Sequence, residues 1–525
     1  MDGPPDKSEQ YGLPTGLLDE DNAVAAQAAL APALFSNHAR TMQTFADIWP
    51  IAVATIQFAA MLGAAGHAML TKSDVRSAAG WVGFILLVPF LGWLIYLLFG
   101  VNRIQRRARE MRGIRRGAAL PLPRARPGTL PADHGEQRRA LEVFARFGQK
   151  VLPERFEAGN AIDVLENGDE TYPAMIEAID GATRSLALST YIFNNDRAGQ
   201  LFLDALTRAT ARGVRLRLLI DGVGSWYSHP SIIPDLKARG INYARFLHSF
   251  LPWKMPYLNM RNHQKILVVD GKLGFTGGMN IAEGNLVRQN PRKPILDHHF
   301  RVEGPVVAQL MRTFAHEWTF TTGEILDGPD WFPQILPSSG PGADIIARGL
   351  PGGPDQGINP IRWTLLGALT EAREAIRIVT PYFLPDSTLS TVLSLAAMRG
   401  VQVDIVLPAT NNLPFVDWAA TPQLLWLIEA GCRVWKTTGP FEHTKLMTVD
   451  GIWSMVGSAN WDGRSLRLNF ELNLECYGSA FATRLDRMID AKIAGARPVT
   501  YEQIASRSLP VKLRDAAIRL ASPYL

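Results

Sequence analysis

Residues 262–271 read Asn-His-Gln-Lys-Ile-Leu-Val-Val-Asp-Gly, and residues 442–451 read Glu-His-Thr-Lys-Leu-Met-Thr-Val-Asp-Gly. His263 and His443, Lys265 and Lys445, Asp270 and Asp450, and the downstream Asn280 and Asn460 are each separated by 180 residues. A register kept over four chemically active positions marks an internal duplication. A chain of this kind must therefore build two similar halves around one shared site.

The surrounding residues say what each half is made of. Residues 184–193 and 214–221 are apolar, β-branched runs that read as buried strands, with a helical pattern over 199–212 between them; 266–269 reads as a third strand, carrying the motif. Residues 375–383, 387–399 and 401–407 repeat that order, with Tyr382 matching Tyr191 and Gly400 matching Gly213. Each half is thus expected to be α/β, and the two to pack pseudo-symmetrically so that their motif strands meet. Phe314 and Trp318 fall at helical spacing and read as a core stripe.

Ahead of the first half the composition changes twice. Residues 48–70 are uncharged for 23 residues and residues 81–101 for 21, each enough to cross a hydrocarbon layer of roughly 30 Å, so two transmembrane helices in a hairpin are expected. Nine arginines against one glutamate over 103–126 follow at once. The positive-inside rule then puts the rest of the chain in the cytoplasm. The expected division is an acidic, partly disordered segment 1–44, two transmembrane helices in 45–102, a basic juxtamembrane segment and Pro-rich linker in 103–150, a first half 151–335 and a second half 336–525. Because the Arg run carries +8 and residues 1–44 carry −4, the remainder holds only about +1 of the net charge of +5. A nearly neutral catalytic region is a poor binder of nucleic acid, whose affinity comes from clustered cations. Cys432 and Cys476 make no metal or disulfide pattern and read as reduced thiols.

Paired His, Lys and Asn side chains suit phosphodiester chemistry without metal or organic cofactor. One neutral imidazole attacks phosphorus while the other, protonated, donates to the leaving oxygen. Lys265, Lys445, Asn280 and Asn460 would bind the non-bridging oxygens. The Gly277-Gly278 and Gly457-Ser458 turns would bring backbone amides to the phosphate. Each histidine needs a carboxylate to fix its tautomer. Glu471 is the candidate for His443 and Asp297 for His263, with His298 and His299 as a polar cluster beside His263. Asp270 and Asp450, although part of the repeated catalytic set, read as acceptors for turn amides. Residues 246–260, rich in aromatic and apolar side chains without periodicity, read as a lip at a membrane or acyl-chain groove.

With Arg261-Asn-His-Gln-Lys265, Phe275-Thr-Gly-Gly-Met-Asn280, Thr380-Pro-Tyr-Phe-Leu-Pro385, Gly457-Ser-Ala-Asn-Trp-Asp462, Asn469-Phe-Glu471 and the terminal Ser522-Pro-Tyr-Leu525, the chain resembles the bacterial cardiolipin synthases of the phospholipase D superfamily, defined by paired HxKxxxxD motifs. The resemblance implies two phospholipase D-type α/β/α halves behind a membrane hairpin in the bacterial inner membrane. It implies condensation of two phosphatidylglycerol molecules to cardiolipin and glycerol, with His263 as nucleophile and His443 as acid and base. A membrane phospholipase D releasing phosphatidic acid is the alternative, and a nuclease the third. Glu442 directly before His443, and Ile281-Ala-Glu-Gly284, depart from the family pattern and bear on which lipids are donor and acceptor.

Overall fold

The computed structural model describes residues 46, 48–72, 75–100, 154–248, 260–339, 342–354 and 359–522. The acidic segment 1–44, the basic run and linker 103–150, residues 249–259 of the aromatic stretch and the final residues 523–525 lie outside them. The chain divides into two compact units at Asn102 and Arg103, and each is taken by itself.

In the first unit a helix covers Ile48–Thr71, 24 residues. At 1.5 Å per residue it is roughly 36 Å long, enough to cross a bilayer. Among the described residues it is the one helix long and apolar enough to do so. The second expected span is not continuous. Helix Val75–Leu87 stops at Val88, and the chain resumes as helix Leu91–Ile95 and a π-helical turn Tyr96–Gly100. Pro89 has no N–H to continue the ladder and clashes with the preceding turn, and Phe90 takes φ 62°. The chain folds back there: a Cβ on Gly92 would lie 2.9 Å from Ile85 Cα, and the Trp81 and Tyr96 rings are 5.2 Å apart. Two polar side chains of the first helix bond inside the unit, Gln57 Oε1 accepting from Trp93 Nε1 at 2.7 Å and His67 bonding the Tyr96 hydroxyl at 2.7 Å.

The second unit holds a fifteen-stranded sheet. From its middle outward the first half runs Glu157–Glu166, His298–Glu303, Leu273–Gly277, Ile266–Val269, Ser185–Thr190, Arg215–Asp221 and Tyr243–Phe246. The second half repeats it as Ile345–Gly352, Glu471–Tyr477, Trp453–Gly457, Leu446–Val449, Ala375–Val379, Gln402–Pro408 and Arg433–Thr437, with Ala496–Val499 added at the edge. The duplication expected from sequence is therefore strand for strand. The halves join where Glu157–Glu166 pairs antiparallel with Ile345–Gly352, in register Asn160 to Ile345. The motif strands do not meet; each is fourth from this seam in its own half.

Local chemistry explains the repeated elements. The strands at Ser185–Thr190 and Arg215–Asp221 pair in parallel, and such strands, covered by helices on both faces, need continuous apolar runs. Helices Arg197–Ala211 and Ser387–Met398 start with Asp196 and Asp386, whose carboxylates accept the amides of Gly199 and Leu389 at 3.0 Å, the usual N-cap bond. They end two residues before the left-handed glycines Gly213 (φ 84°) and Gly400 (φ 93°), which follow the C-caps Arg212 and Arg399, as C-terminal glycines allow. Helices Val307–Thr322 and Ser479–Ala494 fill the space between the halves. Phe314 and Trp318 from the first share one core with Phe481 and Leu485 from the second, together with Val268, Val456 and Leu472. Across the neighbouring strand pair Arg348 and Glu475 face each other in register and bond at 2.6 Å, both fully buried.

The motif aspartates belong to this scaffold. Asp270 (φ 50°) and Gly271 (φ 65°), like Asp450 (φ 51°) and Gly451 (φ 64°), form Asp-Gly turns with both residues left-handed, the geometry that matches strand twist. Each carboxylate then accepts a row of amides: Asp270 those of Thr183, Arg184 and Ser185 at 2.7–3.2 Å, and Asp450 those of Arg373, Glu374 and Ala375 at 2.8–2.9 Å. They lock the motif hairpin to the start of the adjacent strand. Asp270→Ala or Asp450→Ala is expected to lower unfolding free energy by about 2–4 kcal/mol, since three amides lose a charged acceptor; denaturant titration of the detergent-solubilised protein checks this, with Asp→Asn keeping part of the loss back.

Candidate active site

Each motif histidine is set by extended backbone just ahead of its strand, and that backbone is held by the opposite half. The His263 amide donates to Phe470 O at 2.9 Å while the Phe470 amide donates back to Arg261 O at 2.8 Å. Correspondingly, Phe441–Glu442 pairs with Ile295–Leu296, and the His443 amide donates to Leu296 O at 2.7 Å. The residue after Phe470 is Glu471 and the residue after Leu296 is Asp297. Each crossing therefore delivers one half's carboxylate to the other half's imidazole.

The distances follow. His263 Nδ1 lies 2.9 Å from Glu471 Oε2, and His443 Nδ1 lies 2.7 Å from Asp297 Oδ2, with both carboxylates fully buried. This corrects the pairing expected from sequence, which gave Asp297 to His263 and Glu471 to His443. The backbone crossing is the physical reason. With Nδ1–H donating to a carboxylate, Nε2 of each neutral ring carries the lone pair.

The residues between His and Lys strengthen the crossing. Thr444 Oγ1 bonds His298 Nδ1 at 2.9 Å, and Gln264 Nε2 donates to Glu471 O at 3.4 Å. His298 thus sits with the second motif rather than beside His263. Both motif lysines turn back on their own histidines, Lys265 Nζ donating to His263 O at 2.6 Å and Lys445 Nζ to His443 O at 2.5 Å.

The four flanking positions divide. Asn280 Oδ1 accepts from the Ile192 amide at 3.2 Å, which leaves its NH2 group with donor capacity; Asn460 Nδ2 donates to Ser465 Oγ at 3.2 Å and retains a second N–H. Gly278 and Ser458 both lie against the carboxylates. A Cβ on Gly278 would lie 2.8 Å from both Asp297 oxygens, so only glycine leaves Asp297 its place. Ser458 Oγ donates to Glu471 Oε2 at 2.6 Å, and its amide is already committed to Leu472 O at 3.1 Å.

Burial sets the charges. It pushes Lys265 down to about 7 and Lys445 down to about 8, against the raising pull of the carboxylates, and Lys445 lowers Lys265 further. Burial, with Lys445 next, takes His443 down to about 4; His263 is also lowered by burial, against the pull of Glu471. Asp297 and Glu471, although buried, are held below the ordinary carboxylate range by their histidines and lysines. Lys445 acts on His263 as Lys265 acts on His443, so the two motifs form one electrostatic site. Its lysines and carboxylates balance, and a bound anion is the charge that would favour an imidazolium.

Sequence reasoning passed over several neighbours. Asp221, fully buried and pushed up to about 6, accepts the Asn262 amide at 2.7 Å and the Val223 and Gly224 amides at 2.9 and 2.8 Å. It closes a strand directly before Gly222, which is the signal that was available. Tyr191 and Tyr382, noted only as a repeat match, lie edge-on to His263 and His443 at 5.1 and 6.4 Å. Glu442 is buried, accepts the Thr444 amide and pairs with Lys492, so this departure from the family pattern supports the second motif's backbone. Among the described residues no group of three or more His, Cys, Asp or Glu side chains is placed to hold a metal ion.

Comparison with known proteins adds the following. The family described as cardiolipin synthase, PLD-like domain, matches residues 175–318 and 365–493, and the phospholipase D-nuclease N-terminal family matches residues 59–100. The cardiolipin synthase of Geobacillus thermodenitrificans is 33% identical over 452 residues, 85% of this chain and 88% of that one. Cardiolipin synthase A of Pseudomonas fluorescens is 32% identical over 482 residues, 90% of this chain and 98% of that one. A phosphatidylserine synthase structure from Haemophilus influenzae shares the fold with TM-score 0.57 at 16% identity, over 73% of this chain and all of that one.

Two outcomes follow from the geometry. Double-mutant cycles on stability are expected to give coupling of about 1–3 kcal/mol for His263 with Glu471 and for His443 with Asp297, and about 0.5 kcal/mol or less for the same-half combinations. His298, His299 and His443 are each lowered to about 4, burial being the first cause. They stay neutral in the fold, whereas the unfolded chain takes up protons below about 6.5. The stability they contribute is thus complete above about pH 6.5 and lost as the pH falls towards about 4. Thermal melting across that range checks the direction, and His299→Gln should flatten part of the slope.

Proposed function

The chain belongs to the cardiolipin synthases of the phospholipase D superfamily, and on that premise we propose that it transfers a phosphatidyl group from one phosphatidylglycerol to another through a phosphohistidine, releasing glycerol. The observation that carries the mechanism is the crossed pair of imidazoles, each anchored through Nδ1 by the other half's carboxylate. His263 Nε2 attacks phosphorus, and the bond from phosphorus to the glycerol oxygen breaks. His443, protonated at Nε2 once the phosphodiester anion is bound, gives its proton to that oxygen, and glycerol leaves. The hydroxyl of a second phosphatidylglycerol then attacks phosphorus, its proton passes to neutral His443, and the P–N bond breaks to regenerate His263.

Lys265, Lys445 and the NH2 groups of Asn280 and Asn460 hold the non-bridging oxygens as charge redistributes. Asp297 and Glu471 fix the tautomers and stabilise imidazolium. His263 is assigned as nucleophile because Glu471 divides one oxygen between His263 and the Ser458 hydroxyl, which weakens its hold on a proton at the ring. Asp297 has no side-chain hydroxyl beside it at Gly278, which suits His443 to carry the proton.

On this reading helix Ile48–Thr71 and the apolar segment 75–100 anchor the chain in the bacterial inner membrane, and the run of arginines over 103–126 supports a catalytic unit on the cytoplasmic side. The two catalytic halves correspond to residues 151–335 and 336–525.

Purified enzyme with phosphatidylglycerol is expected to yield cardiolipin and free glycerol in equal amounts; phosphatidic acid alone would refute the transfer. His263→Ala and His443→Ala should each lower turnover at least about 10³-fold. After acid quench of a reaction with phosphate-labelled lipid, the label should sit on residue 263, and label on residue 443 would reverse the two roles.

A further inference from the structure

The last described helix, Leu509–Arg519, turns its apolar stripe outward. Leu509, Leu513 and Leu520 are 67%, 61% and 85% exposed, and Ala516 and Ala517 between them are exposed as well. Steps of three and four residues put all five on one helical face. The inward face carries the helix's one acidic residue. Asp515 is buried and held by Arg507 and Arg514 at 3.1 and 2.7 Å, while Ile518 rests on Leu384, Ala419 and Ala420. A soluble helix is normally built the other way round.

The rim of the stripe is basic and aromatic. Arg514 lies over the Trp418 ring at 4.2 Å and Arg519 over Trp426 at 4.6 Å, with Trp426 itself 58% exposed on helix Pro414–Glu429. Lys512 is exposed too. Every charge that Leu509–Arg519 turns to solvent is therefore positive. Arginine on tryptophan at the edge of exposed leucines is the chemistry of a bilayer interface, where rings sit at headgroup level and cationic heads meet anionic lipid. A stable protein partner fits less well. Eleven residues make a strip roughly 16 Å long and one helix face wide, far below the roughly 800 Å² per partner of a stable interface.

We propose that helix Leu509–Arg519, with the Arg–Trp pairs of Pro414–Glu429, docks in the surface of an anionic bilayer, a second membrane contact besides the helix at Ile48–Thr71. The same chain already carries an apolar membrane-crossing helix, so a weak interfacial site suffices. The helix also reports on the site. The Ser522 carbonyl that follows it lies 3.6 Å from where a Cβ on Gly463 would stand, one residue beyond Asp462 in the loop that joins Asn460 to Ser465. Docking brings that loop to the lipid surface.

The test uses the full chain in the His263→Ala background, so that lipid is not consumed, reconstituted in vesicles of phosphatidylethanolamine and phosphatidylglycerol. Cys432 and Cys476 are buried, so a polarity-sensitive fluorophore attached through Leu513→Cys reacts at that position. Asp204→Cys on the exposed side of helix Arg197–Ala211 is the control. The label at 513 should sit roughly 5–10 Å below the headgroup boundary. Its emission should shift to the blue and be lost to bromine-labelled acyl chains but not to aqueous iodide, while the label at 204 should show the reverse. Iodide quenching at 513 would show the helix in water and overturn the proposal. Protection from both quenchers would show a protein cover, from a second copy or another segment of this chain, and overturn it equally.

Discussion

Two backbone hydrogen bonds, from the His263 amide to Phe470 O and from the His443 amide to Leu296 O, fix the catalytic architecture. They place Glu471 and Asp297 across the boundary between halves, so neither half owns a complete histidine–carboxylate pair. Breaking the contact between halves would leave two buried carboxylates and two buried lysines without their partners, and an unpaired buried charge costs several kcal/mol. Duplication is thereby turned into dependence.

The scaffold supports this crossing from three directions. Asp270 and Asp450 spend their carboxylates on amides behind the motif turns and hold the motif strands in register. The helices Val307–Thr322 and Ser479–Ala494 contribute apolar side chains to one core, so sliding one half past the other would open cavities. Arg348 and Glu475, paired in full burial beside the seam, add a contact that tolerates no loss of either partner. Inside this frame the site is neutral overall, and burial keeps the lysines near the edge of deprotonation. An anion in such a site would favour the protonated form of the lysines and imidazoles.

Symmetry stops at the side chains beside the carboxylates. Gly278 gives Asp297 space, whereas Ser458 puts a hydroxyl on Glu471. Gln264 and Thr444 tether to different partners for the same purpose. A duplicated site can therefore divide its labour, with one ring attacking and the other carrying protons, without any change in the motif residues themselves. Glu442, a departure from the family pattern, proves to be a support for the second motif through Thr444 and Lys492.

The sequence by itself determined the duplication, the α/β character of both halves, the Phe314 and Trp318 core stripe and the identity of the His, Lys and carboxylate groups, because period, register and residue chemistry are local properties that survive without coordinates. It also marked Asp270 and Asp450 as turn acceptors, since Asp-Gly after a strand has few other uses. Only the tertiary structure decided which carboxylate serves which histidine, that the motif strands stand apart, and that Gly278 and Ser458 attend the carboxylates. Sequence distance favours partners in the same half, whereas the chain brings together residues about 200 apart through backbone pairing that no periodicity encodes. The broken second apolar segment has the same origin: composition counts hydrophobic residues, but Pro89 and the left-handed Phe90 decide whether the helix continues.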